Sequence, residues 1–549
     1  MRSKVFAGLV AAAMLWPAAA DALPAGPASQ TALTDDVVRA PVPAARPIDP
    51  LHGAIRGGLL GTAPEISDRD RYRDALIAFY EDRDFQPVWI ADGALTPAAR
   101  AAIARLGDAA ADGLDPADYV VTERMLDTGP HPAGPDLVAS ELSLSRATMA
   151  FARDAQAGRV NPRKVSSINT LSPPVPDPLV SLKRVASASD PAAALDAFNP
   201  PHPQFSALKK ALHESRTAAV VKPLPVPAGR NLRPGQSDPR VGLLRQRLGV
   251  VLHRGSDVSV YDDAVVEAAK TFQKDHGLRP DGIIGPNTLA VLNRGLGGDP
   301  ETDILVNMER WRWMPRELGK TYVFVNIPAY TVTIRRDGTT AYEGRVIVGK
   351  PGNPTPVFSD EIEHLVVNPY WNVPYSIASK EMLSSIQKNP EGYFSKRGYE
   401  AVYKGKVVSP SSINWSPAAL RNVRIRQKPG NSNALGHIKF MFPNQHAVYL
   451  HDTPSRNLFS RPVRAFSHGC VRVDQPLDFA DALLAEEAHW NASKIKKMIG
   501  GSERYLTLER HIPVHLAYFT EWVDADGTLV HYSDVYGQDR RLAKLLEAD

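Results

Sequence analysis

The chain contains one cysteine, Cys470, set in the run Ser467-His468-Gly469-Cys470-Val471-Arg472. A second histidine-bearing run, Tyr449-Leu450-His451-Asp452-Thr453-Pro454, lies upstream. A thiol attacks a carbonyl carbon as its thiolate, so its free pKa near 8.5 must be lowered or a base supplied. His451 is a candidate for that base. Arg472 is two positions beyond Cys470, shares its face if the segment is extended, and would favour the thiolate. Gly469 lets the backbone turn tightly, so that amide N–H groups near Cys470 can aim at a developing oxyanion. Tyr449, two residues before His451, shares the face of that residue on a strand. The fifteen residues between His451 and Ser467 suffice for a loop that returns the chain from one motif to the other.

Two other readings of the same residues stay open. A lone cysteine is often a small buried hydrophobe. Cys470 could also join His446, His451 and His468 around zinc, although Gly469 and Arg472 have no part in such a site and a guanidinium opposes a cation. With one cysteine, neither an intrachain disulfide framework nor a Cys-rich zinc finger is possible.

The N-terminus bears on the compartment. Met1-Arg2-Ser3-Lys4 is cationic, Val5 to Ala20 carries no charge, and small residues follow (Ala18-Ala19-Ala20, or Ala20-Asp21-Ala22). This is the pattern of a secretory signal over 1–22. The apolar run contains Pro17 and falls short of the ~20 residues of a spanning helix, an uncleaved anchor being the alternative. The expected location is the periplasm or cell envelope, with a membrane tether only if the signal is retained. An exported protein that keeps a free thiol exposes it to oxidation, so the residue needs a reason. Formal charge is +4 over 549 residues, with 64 Lys and Arg against 60 Asp and Glu, too weak to make nucleic acid the main partner.

At roughly 150 residues per domain the length predicts three to four domains. Residues 23–66 are rich in Ala, Pro and Gly and read as a flexible tether. Residues 67–220 carry helical spacing, with Thr96-Pro97 as a cap followed by proline at the first helical position. Residues 230–295 hold three short helical patterns, the middle one with an apolar face of Ala264, Val265, Ala268, Ala269 and Phe272. From about 319 to 505 the period changes to two. Val323, Val325 and Ile327 alternate, as do Tyr330, Val332 and Ile334, and Asp337-Gly338 marks a hairpin. Further strands are expected at 345–348, 362–367, 438–442 and 447–450. A stretch at about 375–430, helical from Ala378 to Gln387, interrupts this pattern and reads as a lid. Residues 506–549 are left as a C-terminal extension. The fold class is therefore multidomain α+β, with a mostly β, sandwich-like domain at the chemistry.

The Ser467–Arg472 run, with His451 upstream at this spacing, resembles the signature of the L,D-transpeptidases with a YkuD-type catalytic domain. Asn433-Ala434-Leu435-Gly436, Lys439-Phe440-Met441-Phe442-Pro443-Asn444, Tyr449 to Pro454 and Asn368-Pro369-Tyr370-Trp371-Asn372-Val373-Pro374 extend the resemblance. They are similar to the large proteobacterial branch, which has an α-helical scaffold domain, a peptidoglycan-binding domain and a capping insertion. Phe272 to Leu278 and Asp281 to Gly285 resemble that small three-helix peptidoglycan-binding domain, where Asp281 and Asn287 would have to face solvent to serve a glycan. In that branch the module is inserted into the scaffold, which implies that 296–318 rejoins it.

The resemblance implies an acyltransferase without a cofactor or metal, whose partners are peptidoglycan stem peptides and glycan strands. Cys470 would take the acyl group of a tetrapeptide stem, expel D-Ala, and pass the acyl group to the side-chain amine of a neighbouring stem. His451 would be the base, backbone amides of His468 to Cys470 the oxyanion donors, and His468 a supporting residue. Arg472 would position a substrate carboxylate or the motif loop. Tyr449, Trp371 and Ser467 are the substrate-binding candidates. The same machinery on a cysteine hydrolase that cuts stems, or releases wall-attached protein, is the alternative.

Overall fold

The computed structural model describes residues 51–61, 70–121, 135–217, 224–252, 255–275, 278–293 and 299–548. The expected signal, most of the tether and the His276-Gly277 part of the small module's motif lie outside them.

Several helix starts along the chain use one local device. A side chain that accepts from the first turn is followed by proline at the first helical position, as at Thr96-Pro97, Asp177-Pro178 and Asp299-Pro300. The side chain satisfies one orphan amide, and proline has no amide to orphan. The helical region comprises α1 (His52–Leu60), α2 (Arg73–Glu81), α3 (Pro97–Gly107), α4 (Pro135–Ala157), α5 (Pro178–Ala186) and α6 (Pro203–Thr217). The tether expected to reach residue 66 is corrected here: α1 buries Ile55 and Leu59 in the helical core, which an Ala/Gly-based composition argument does not register.

The small module holds α7 (Val241–Arg247), α8 (Asp263–Asp275) and α9 (Pro286–Leu292). Its buried face on α8 is Val265, Val266 and Ala269, one step round from the expected face, and Ala264 is exposed. Asp281 and Asn287 face solvent. Next comes α10 (Pro300–Trp313), which packs along α6 and against α4. Trp311 stacks on Phe519 at 4.4 Å, so α6 and α10 join the core of the β domain, while α1 to α5 bury their apolar faces in a core of their own.

The β domain begins with β1 (Thr321–Asn326), β2 (Thr331–Arg336), β3 (Thr339–Gly349) and β4 (Phe358–Val367). An insertion follows, with β5 (Trp371–Asn372), helices α11 (Leu383–Lys388) and α12 (Pro390–Arg397), and β6 (Tyr399–Tyr403), β7 (Lys406–Val408) and β8 (Val423–Gln427). Its four strands form their own sheet, ordered β5–β8–β6–β7, over a core that includes Ile386, Phe394 and Trp415. It is thus a folded subdomain from Trp371 to Gln427. Short strands β9 (Ile438–Met441), β10 (Leu450–His451), β11 (Ala465–Ser467) and β12 (Val471–Val473) then return to the main sheet, followed by β13 (Arg504–Ala517), β14 (Glu521–Val523), β15 (Leu529–His531) and α13 (Asp539–Ala548).

The main sheet has nine strands in the order β11–β3–β12–β10–β9–β4–β13–β1–β2, and β2 also pairs with β3. Strand β3 gives residues 339–345 to β2 and residues 346–349 to β12 and β11, so it passes from one side of the core to the other. Two expectations are corrected. The strand predicted at 447–450 starts only at Leu450, because Ala447 turns with φ +52°. Residues 506–549 are no appendage, since β13 lies between β4 and β1 with Leu506, Leu508, Val514 and Leu516 buried. A register shift between Thr507 and Ile512 breaks its alternation, which hides the strand from a period-two reading.

Leu516→Ala should therefore lower the stability of the β domain by about 2–5 kcal/mol, the range for a buried leucine deletion. A urea transition of that domain unmoved by the substitution would contradict the central placement of β13.

Candidate active site

Strand β10 sits between an antiparallel and a parallel neighbour. His451 pairs with Lys439 of β9 on one side and with Arg472 of β12 on the other. The alternate residues Phe440, Leu450 and Val471 are all fully buried and point into the core. Side chains alternate on a strand, so that apolar row fixes the register and puts Lys439, His451 and Arg472 side by side on the opposite face. Tyr449 and Cys470, each two residues earlier, extend the same face. The Tyr449 and His451 rings lie 5.7 Å apart, and Lys439 Nζ lies 5.5 Å from the centre of the Tyr449 ring. Tyr449 hydrogen-bonds the Cys470 sulfur through both its backbone and its hydroxyl. The thiol donates to the Ala447 carbonyl at 3.9 Å.

The loop before Cys470 is held from within. Gly469 has φ +118°, where a side chain is strained, and this is the turn expected of it. Ser467 is buried; its hydroxyl donates to the Cys470 carbonyl and accepts from the Gly469 amide at 3.2 Å. Ser467 therefore builds the loop. The Gly469 amide, one of the expected oxyanion donors, is occupied by that hydroxyl. Outside support comes from Thr355, whose hydroxyl donates to the Gly469 carbonyl at 2.8 Å, and from Tyr536, whose hydroxyl accepts from the Thr355 amide at 3.1 Å.

The segment after His451 is equally fixed. His451 is 4% exposed, and its Nδ1 lies 2.5 Å from the Asp452 carbonyl oxygen. A carbonyl only accepts, so Nδ1 carries the proton and Nε2 keeps a free lone pair. The Asp452 carboxylate accepts from the amides of Thr453 (2.6 Å) and His437 (2.7 Å) and pairs with Arg456. Gly436 has φ +59°, and a Cβ there would come within 2.2 Å of that carboxylate.

Burial dominates the electrostatics. It pushes the His451 pKa down to about 3, with the Arg472 and Lys439 charges adding to the effect against the Asp452 hydrogen bond. Burial also pushes the Cys470 thiol up, opposed by the Tyr449 hydrogen bonds and by Arg472 and Lys439. At neutral pH the resting pair is a neutral imidazole and a neutral thiol. Arg472 favours the thiolate as expected but does not outweigh desolvation. Its own Nε is buried without a hydrogen-bond partner.

The remaining candidates separate. His468 points to the insertion, with Nε2 2.6 Å from Glu381 Oε1 and 3.1 Å from Lys350 Nζ. Trp371 lies in β5 and packs into the core of the insertion, 6.2 Å from the Tyr399 ring. The zinc alternative disperses: His446 bonds Thr170 at 2.9 Å, His451 bonds Asp452, and His468 bonds Glu381. Among the described residues, ligand atoms of Asp303, Glu521 and His531 come within 4.8 Å of one another, and the His531–Glu521 ion pair accounts for that grouping. Lys439, Asp452, Thr355, Glu381 and Tyr536 are parts of the site that sequence reasoning did not single out. For Lys439 the signal was present: Lys439-Phe440-Met441-Phe442 alternates in the period of a strand facing the core.

Iodoacetamide alkylation of Cys470 should keep accelerating with pH through a midpoint above the ordinary thiol value of about 8.5. Tyr449→Phe removes a donor to the sulfur and should move that midpoint higher still. A wild-type midpoint below pH 7 would contradict this account of the thiol.

Comparison with known proteins places these observations. Residues 320–504 match the family described as "L,D-transpeptidase catalytic domain", residues 237–292 "Putative peptidoglycan binding domain" and residues 74–212 "Scaffold domain". A "Putative L,D-transpeptidase" of Haemophilus influenzae is 38% identical over 242 residues, covering 44% of this chain. The match spans about half of that relative, 48% of its length. Among solved structures, the L,D-transpeptidase from Mycobacterium smegmatis is 14% identical over 36% of this chain and 58% of that one, with a TM-score of 0.18. That from Xylanimonas cellulosilytica is 16% identical over 53% and 98%, with a TM-score of 0.16. Scores this low carry no argument about the chain. On the family matches, the chain contains an L,D-transpeptidase catalytic domain of the YkuD family, joined to a peptidoglycan-binding domain and a scaffold domain.

Proposed function

We propose that the chain cross-links peptidoglycan in the cell envelope by acyl transfer through Cys470. The observation that carries this reading is the shared sheet face on which Lys439, Tyr449, His451, Cys470 and Arg472 stand. The sulfur attacks the carbonyl carbon of the diamino acid in a donor tetrapeptide stem, the peptide bond to D-Ala breaks, and D-Ala leaves with a proton on its amine. The side-chain amine of a neighbouring stem then attacks the thioester, and the thiol is restored.

His451 Nε2 takes the thiol proton and later that of the acceptor amine. In the resting arrangement the thiol donates to Ala447, so transfer requires the sulfur to swing towards the imidazole, along a diagonal of the parallel β10–β12 pair. Catalytic hydrogen bonds are often loose before substrate binds. Tyr449 and the two cations favour the thiolate that results. The Gly469 amide being occupied, the His468 and Cys470 amides are left for the oxyanion. Arg472, with an unpartnered buried Nε, binds a stem carboxylate. Trp371 supports the insertion rather than the substrate. The insertion meets the catalytic loop at Glu381–His468 and shields the thioester from water, which favours an amine over hydrolysis. Asp281 and Asn287 of the small module are exposed, as contact with glycan would require. An exported location fits this substrate; among the described residues no helix is long and apolar enough to cross a membrane.

Muropeptide analysis tests the proposal. Walls incubated with the wild type should gain direct links between diamino acids, and Cys470→Ala or His451→Gln should reduce them by about 10³-fold or more. Cleaved stems without new links would establish the hydrolase instead, and equal products from wild type and Cys470→Ala would overturn both. Because His451 stays neutral down to about pH 3, kcat/KM should show no inflection near pH 6.5.

A further inference from the structure

The insertion concentrates charge that the rest of the chain lacks. Residues 371–427 hold nine Lys and Arg against three Glu, a net charge of +6, whereas the whole chain carries +4. The three glutamates are engaged elsewhere. Glu381 meets His468, Glu391 accepts from Ser411 at 2.8 Å, and Glu400 pairs with Arg426 and Lys428 at 2.7 and 3.2 Å. Of the cations without an ion pair among the described residues, Lys404, Arg421 and Arg424 are exposed and stand together. All three line one cleft of about 530 Å³, in which no carboxylate takes part. Its floor is apolar, with Val402 and Leu420, and its rim carries the rings of Tyr375 and Tyr403, 45% and 42% exposed.

From this cleft we infer a second binding site, for a short peptide that bears at least two carboxylates. Three unpaired cations around a concave, partly apolar floor fit a ligand that combines acid groups with small side chains. A membrane surface would call for cations spread over a convex face, and a long polyanion for a continuous groove. The site also touches the chemistry. Ala378 lines the cleft, and Glu381, one turn further along the π-helical segment Ala378–Met382, holds His468 of the catalytic loop. An occupied cleft therefore bears on the helix that contacts that loop. Naming a peptidoglycan stem as the natural source rests on the proposed function; the binding chemistry does not.

The test is fluorescence anisotropy on the full chain with dansylated Ala-Glu-Glu-Ala and its neutral counterpart Ala-Gln-Gln-Ala. The acidic peptide should bind, the neutral one at least about tenfold more weakly, and affinity should fall as salt rises from about 50 to 300 mM. The combined variant Lys404→Gln, Arg421→Gln, Arg424→Gln should lose about tenfold or more for the acidic peptide. Its rate of Cys470 alkylation should match the wild type, which shows that the fold is intact. Equal affinity in variant and wild type would place any binding elsewhere and overturn the inference, as would capture by phosphatidylglycerol vesicles with no response to the peptide. Binding without new cross-links would sink the transfer reading and leave this one standing.

Discussion

The site depends on the register of a two-residue strand. Leu450 and His451 are all that β10 contributes to the main sheet, yet they fix the positions of groups from three strands. The apolar row Phe440, Leu450 and Val471 holds that register because a slip by one residue would drive His451, Arg472 and Lys439 into the core. Burying an unpaired guanidinium and ammonium there costs far more than so short a ladder could return. The hydrophobic core thus aligns the polar face it never touches. The loops on either side serve the same end. Asp452 fastens the chain leaving His451, and Ser467 closes the loop entering Cys470.

The same packing sets the chemistry at rest. A site dry enough to strengthen every charge interaction also disfavours charge on the thiol and the imidazole. Arg472, Lys439 and the Tyr449 hydroxyl act against that penalty without cancelling it. The sulfur is stored neutral, donating to the Ala447 carbonyl, in a partly exposed position. For an enzyme working in the cell envelope, as proposed, a neutral thiol is also the form that resists oxidation. Under the proposed acyl transfer, activation then belongs to the arrival of substrate rather than to the empty site.

How legible this was depended on the range of the interaction. Motif residues spaced by two on strands could be placed on one face from their spacing alone, and Tyr449, His451, Cys470 and Arg472 do share one. Helix starts were legible for the same reason, since Thr96-Pro97 needs only its own first turn. Contacts between distant segments were not. Glu381 reaches His468 across 87 residues, and Tyr536 reaches Thr355 across 181. Trp371 had the right type for a pocket wall, but its neighbour Tyr399 is fixed by a sheet internal to the insertion. Strand β13 escaped because its alternation breaks at a bulge, and the helix at 52–60 because Ala/Gly composition hid two buried aliphatic residues.

The insertion shows why composition must be read locally. Averaged over the chain, charge nearly cancels and points to no partner, while residues 371–427 alone carry more positive charge than the whole. Those cations ride on a body with its own core and sheet, so the sheet holds them in place whatever the catalytic loop does. Its described links to that loop include a histidine, a glutamate and a lysine, all partly exposed. Exposed ion pairs contribute little stability. Contacts this weak contribute little to holding the insertion together, which rests instead on its own core and sheet.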